Sequence, residues 1–195
     1  MSDRVETLSH LREMNSSEFV SEYLFDRISH IFGHDRALYV QWKCKLGGLV
    51  EVDPACLKVV GSAGLGMSLN PSKGFRVFDE KSDVDVAVVS HYHFTASWRF
   101  LRANGHLRTH VDEKTRIAWD EHVRRYVYWG TIATDRLLGI LPFGKQWLQA
   151  INEMNRLAPT LGRDINLRIY ADYEALRAYQ VHSTTRAREE VLTGE

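Results

Sequence analysis

Two short runs constrain this chain more than anything else in it: CLKVVGS at 56–62 and VDVAVVS at 84–90. Both are apolar and rich in valine. β-Branched side chains lose freedom in a helix and pack well on a pleated surface, so such runs read as buried strands. Gly64, Gly66, Asn70, Pro71, Ser72 and Gly74 mark the stretch between them as a loop. In a strand, residues two apart share a face. Asp83 and Asp85 therefore project together at the head of the second run, while Val84 and Val86 point into a core.

Most of the remaining chain has helical spacing. In NSSEFVSEYLFDRISHIF, Val20, Leu24, Ile28 and Ile31 form one apolar stripe, and Asn15 followed by Glu18 makes a capping-box-like start. DRALYVQWKCKLGG predicts a second helix ended by Gly47 and Gly48. FTASWRFLRANG and GKQWLQAINEMNRL predict two more. KTRIAWDEHVRRYVYW puts Trp119, Val123, Tyr126 and Val127 on one face with Arg124 and Arg125 outside. That spacing favours a core helix over an aromatic-basic face for single strands. RDINLRIY alternates as a half-buried strand, with Ile165, Leu167 and Ile169 on one side and Asp164, Asn166 and Arg168 on the other. Asp172 caps a final helix, DYEALRAYQVHS. YWGTIATDRLLGILPFGKQW has no clear period and is expected to be a substrate or partner loop.

The predicted fold is α+β: a small mixed β-sheet flanked by helices. Residues 1–50 are expected as an N-terminal helical segment on the core. Residues 51–182 form the main domain with a helical insertion at 93–158, and 183–195 a flexible C-terminal tail.

Charge and cysteine content narrow the function classes. The 25 basic and 25 acidic residues cancel, so bulk charge does not argue for nucleic acid. Cys44 and Cys56 lack CxxC spacing and read as reduced thiols. No signal-like leader and no apolar run near ~20 residues is visible, which predicts a cytoplasmic chain without membrane contact. His91 and His93 have no matching Cys/His cluster and read as surface residues at a helix start rather than zinc ligands. The G-x-G-x-x-G, Gly-Lys-Ser/Thr, Gly-x-Ser-x-Gly and kinase motifs are all missing.

What remains is the pairing of the two strands. Two carboxylates held side by side repel unless water or a cation intervenes. An oxygen-only donor pair suits Mg²⁺ or Mn²⁺, with substrate phosphates filling other positions. Gly61 permits a sharp turn and close approach of a ligand, and the Ser62 hydroxyl and free amides can hold a phosphate oxygen.

Together, VVGSAGLG and SDVDVAVVS resemble the signature of the DNA polymerase beta-type nucleotidyltransferase superfamily, a hydrophobic-Gly-Ser turn followed by Asp-x-Asp on the next strand. The resemblance covers roughly residues 57–90. It implies a metal-dependent transfer of a nucleoside monophosphate from a triphosphate, with ATP expected, to a hydroxyl acceptor on nucleic acid, protein or nucleotide. It implies that Gly61 and Ser62 hold phosphates and that Asp83 and Asp85 hold Mg²⁺ or Mn²⁺. A third carboxylate belongs on a later strand, for which Asp164 is the candidate and Asn166 the competing position. The intervening loop is longer than is usual in the family. It adds Lys73, Arg76 and Lys81, of which Lys73 and Arg76 are taken as candidate triphosphate contacts. Small members of the superfamily serve in antiphage defence and toxin–antitoxin pairs, which adds RNA or a partner protein as an expected partner. The alternative is a catalytically incomplete nucleotide- or nucleic-acid-binding subunit.

Overall fold

Both valine-rich runs are strands, and they are neighbours. The computed structural model describes residues 2–194. Its strands are β1 (Leu57–Val60), β2 (Val84–Val89), β3 (Thr131–Ala133) and β4 (Ile165–Tyr170). They form one mixed sheet in the order β1–β2–β4–β3. β2 pairs antiparallel with β1 and parallel with β4, and β3 closes the far edge antiparallel to β4.

The helices are α1 (Ser2–Glu13), α2 (Ser16–Phe19), α3 (Arg36–Val50), α4 (Gly61–Leu65), α5 (His91–Ala103), α6 (Glu113–Glu121), α7 (Gly144–Met154) and α8 (Tyr173–Thr193). α2 runs on as a π-helix over Val20–Asp26, and α6 does so over His122–Tyr126. Sheet and helices together make the fold α+β. No helix among the described residues is long and apolar enough to cross a membrane.

The sheet is covered on both faces, as a parallel central pair requires. Val84, Val86 and Val88 point into the larger core with Val59, Ile132, Ile165, Leu167 and Ile169. There they meet Trp42 and Leu46 of α3, Leu101 of α5, Trp119 of α6 and Trp147 of α7. The other face carries Val60, Ala87, Val89 and Tyr170 against Leu11, Phe19, Leu24, Leu176, Ala187 and Val191. Because β4 alternates, Asn166 and Arg168 fall on that second face with Asp85. These polar groups line a recess where helical cover is incomplete.

Several sequence expectations need correction. The Asn15 cap forms, accepting from the Ser17 and Glu18 amides, but the helix ends before Ile28. α3 runs through Gly47 and Gly48 and stops at Glu51, which adopts a left-handed conformation. Gly47 serves close packing instead of termination, since a Cβ there would lie 2.5 Å from the Val52 carbonyl oxygen. The insertion at 93–158 is not wholly helical, because β3 leaves it to join the sheet. The stretch expected as a substrate or partner loop divides: Ile132, Leu137, Leu138 and Trp147 are buried, while Ala133 and Asp135 line the recess. The tail expected at 183–195 is helix through Thr193, fixed by buried Thr184, Ala187 and Val191; Glu195 lies outside the described residues. On the α6 segment the π-turn shifts the helical phase, so Val123 is 51% exposed and His122 is buried.

Candidate functional site

The chain leaves β1 at Val60, which pairs across the sheet with Asp85. It then turns at Gly61, with φ +62°, into α4. A Cβ on Gly61 would lie 2.9 Å from Asp85 Oδ2. The glycine is therefore required twice, for the left-handed backbone and for the space the carboxylate occupies. The Gly-Ser turn and the second aspartate are parts of one place.

Gly61, Ser62, Lys73, Asp85, Asn166 and Arg168 line a common recess of about 500 Å³. Lys73 arrives on a 3-10 turn, Pro71–Lys73, whose Ser72 amide donates to Asn70 Oδ1. Arg76 does not line the recess. Its backbone carbonyl accepts from the Ser68 amide at 2.8 Å, within a loop closed by the Met67–Val77 bridge.

The carboxylates are less gathered than the Gly-Ser turn. Asp83 is exposed, one residue before β2, and the carbonyl of Asp164 accepts the Val84 amide at 2.8 Å. Asp83 and Asp164 thus sit side by side at the entry to their strands, and neither lines the recess. The residue paired with Asp85 in register is Asn166, whose Nδ2 donates to Asp85 Oδ1 at 3.4 Å. Among the described residues, no three His, Cys, Asp or Glu side chains are grouped closely enough to hold a metal ion.

Asp85 is exposed to the recess on one side and backed by protein on the other, so its carboxylate is only partly hydrated. That burial pushes its carboxyl above the usual carboxylate range. The Asn166 hydrogen bond works against the shift, Asp83 adds to it, and Arg168 and Lys73 oppose it.

Polar recess residues beyond the sequence candidates include Asp135, Tyr179, Gln180, Ser183 and Arg186. Asp135 lies just beyond the last β3–β4 pair, Ala133–Arg168, where the same register puts it opposite Asn166 on β4. Nothing in its apolar surroundings marks it. Tyr179, Ser183 and Arg186 line the recess at spacings of four and three along α8. That periodicity was available, but the charged tail obscured it. Arg168 was placed correctly on the polar face of its strand, though without a role.

His91 and His93 part company. His91 is exposed at the start of α5, as expected. His93 is 4% exposed, so the surface reading fails there. Its ring lies 4.8 Å from Phe143 and 4.9 Å from Trp147, and its Nδ1 shares a 2.8 Å hydrogen bond with Ser90 Oγ. Burial holds its pKa below the usual histidine range.

No protein-family model, curated protein or solved structure matches the chain.

Proposed function

We propose that the recess binds a nucleoside triphosphate and that the chain transfers its nucleoside monophosphate to an acceptor hydroxyl. The observation that carries this reading is the close packing of Gly61 against Asp85, so tight that a Cβ on the glycine would lie 2.9 Å from Asp85 Oδ2. It joins a phosphate-sized turn to a carboxylate on one recess floor, with Ser62 and Lys73 beside them. Ser62 and the amides of the turn hold the terminal phosphates, and Lys73 offsets their charge.

Asp85 and the Asn166 amide oxygen, beside each other in register, are the donors the recess offers one hard cation, with Asp83 two residues before Asp85 in the chain. The raised pKa of Asp85 marks a carboxylate whose ionised form gains from such a cation. When bound, Mg²⁺ or Mn²⁺ supplies charge neutralisation at the phosphates. The acceptor oxygen forms a bond to the α-phosphorus, the bond from that phosphorus to the pyrophosphate oxygen breaks, and the hydroxyl proton leaves to solvent. ATP is the first triphosphate to test.

Asn166 favours a second reading, in which the recess binds nucleotide without turnover. It holds the position beside Asp85 where the superfamily resemblance calls for a carboxylate. The two readings separate in one assay, with labelled ATP and the other triphosphates, Mg²⁺ or Mn²⁺, and hydroxyl acceptors from RNA, protein and nucleotide. Transfer predicts pyrophosphate release that falls at least ~100-fold in Asp83→Ala/Asp85→Ala, the scale of losing transition-state charge stabilisation. Metal-dependent binding with no release identifies the non-catalytic reading. A melting temperature unmoved by nucleotide and metal together defeats both.

A further inference from the structure

The recess is wider than a triphosphate cradle needs. Its floor crosses the sheet from Gly61 at β1, past Asp85 on β2, to Asn166 and Arg168 on β4. Strands in a sheet lie about 4.8 Å apart, so Arg168 stands roughly 10 Å from the line of β1. Its guanidinium carbon lies 5.5 Å from the centre of the Tyr126 ring and 5.0 Å from that of Tyr179. Such contacts fix an arginine without using its N–H groups. One of those groups, at Nη1, is buried and has no hydrogen-bond partner. A buried donor is seldom left unmatched, because it loses its hydration and gains nothing in return. Arg168 makes no salt bridge among the described residues. The carboxylates sharing the lining with Arg168 are Asp85 and Asp135, while Arg186 of α8 stands beside the Asn70–Ser72 turn next to Lys73.

We infer that Arg168 marks the acceptor end of the site, and that the acceptor is a nucleotide or oligonucleotide end carrying a phosphate near its reactive hydroxyl. This rests on the nucleotidyl-transfer reading. In phosphoryl-type displacement the attacking and leaving oxygens lie roughly in line. With the pyrophosphate held at Gly61 and Ser62, the attacking hydroxyl comes from the opposite side of Asp85. That side is the one lined by Asn166 and Arg168. A guanidinium pinned between two rings and offering a free donor suits a phosphate oxygen. The same wall disfavours a cationic acceptor.

The test is acceptor binding by the full chain, saturated with a non-hydrolysable ATP analogue and Mn²⁺. The probes are AMP, a short 5′-phosphorylated RNA oligonucleotide, and a cationic aminoglycoside. AMP or the oligonucleotide should bind and the aminoglycoside should not, and whichever phosphate probe binds more tightly identifies its source. Arg168→Met should weaken that probe about tenfold or more, on the scale of one charge-assisted hydrogen bond, and leave the ATP analogue within about twofold. Arg168→Lys, which keeps the charge but loses the planar fork, should act in the same direction and serves if Arg168→Met fails to fold. Unchanged probe binding in the folded variants overturns the assignment. So does a loss that falls on the ATP analogue instead of the probe. If the wild-type chain does not bind the ATP analogue, the nucleotidyl-transfer reading fails separately. AMP binding that depends on Arg168 is then scored alone and still decides whether the arginine is a phosphate contact.

Discussion

Asn166 is the residue on which the chemistry turns. It pairs with Asp85 in register and bonds to it, while Asp164 lies two pairs further out beside Asp83. Alternation along RDINLRIY put Asp164, Asn166 and Arg168 on one face but could not say which of them meets Asp85. That depends on the stagger of β4 against β2, which local sequence does not encode. Asn166→Asp is therefore an informative change. It places a second carboxylate against one that is already only partly hydrated, so without metal the melting temperature should fall. With Mn²⁺ the order should reverse: the metal should protect the variant more than the wild type, with apparent Mn²⁺ affinity tighter by about tenfold. Thermal melts with and without Mn²⁺ measure both effects. Equal metal response in the two proteins would sink the assignment of Asn166 to the metal-facing position.

At the level of elements, the turn from β1 into α4 ties the two valine-rich strands into a site. It has a direct test in Gly61→Ala. The alanine must hold φ +62° and put a methyl carbon 2.9 Å from Asp85 Oδ2. The left-handed backbone alone costs about 1–2 kcal/mol. Displacement of Asp85 adds loss of nucleotide binding, read as a missing thermal shift on adding ATP and Mg²⁺. Gly162→Ala is the control, since it has a similar φ of +71°, open space at its Cβ and no place in the recess lining. It should lose stability without losing the nucleotide response. The sequence revealed the Gly-Ser turn and both strands, because valine runs and glycines act locally. It did not reveal the π-helical turns at Val20–Asp26 and His122–Tyr126, where one extra residue per turn shifts the apolar face. That shift is why Val123 is exposed and His122 buried.

For the whole molecule, two helical layers enclose the sheet, and two histidines are buried with them. His122 Nε2 accepts the Ala133 amide at 2.9 Å, so its proton resides on Nδ1, which donates to the Ala118 carbonyl at 2.5 Å. The ring thereby links α6 to β3 in its neutral form. Burial holds its pKa below the ordinary histidine value; Arg168 lowers it further, and the Ala118 bond, Asp135 and Glu121 pull the other way. His93 is also depressed by burial, opposed by Glu51. Unfolded histidines take up protons near pH 6.5, before these folded ones do. The unfolded state therefore binds more protons in that window. Stability contributed by the neutral rings is complete above about pH 6.5 and is lost as pH falls toward the depressed folded values. Each histidine sets a slope of at most about 1.4 kcal/mol per pH unit. Denaturant unfolding between pH 7.5 and 5 should show that acid-side decline, and His122→Gln, which keeps one donor and one acceptor, should reduce the slope. An equal slope in the variant would show that His122 titrates alike in both states.

The sequence by itself determined the class of fold, the two neighbouring strands and the polar residues at their ends, since these follow from side-chain shape and local period. Lys73 was also within its reach as a loop cation, whereas Arg76, equally placed by composition, stands outside the recess. Tertiary structure alone decided that Gly61 touches Asp85, that Asn166 and not Asp164 stands beside it, and that α8 extends through the expected tail to supply Arg186. Those facts depend on strand stagger and on which helix covers which face. Both are fixed by long-range packing of the two cores, and a residue's own neighbours along the chain carry no record of them.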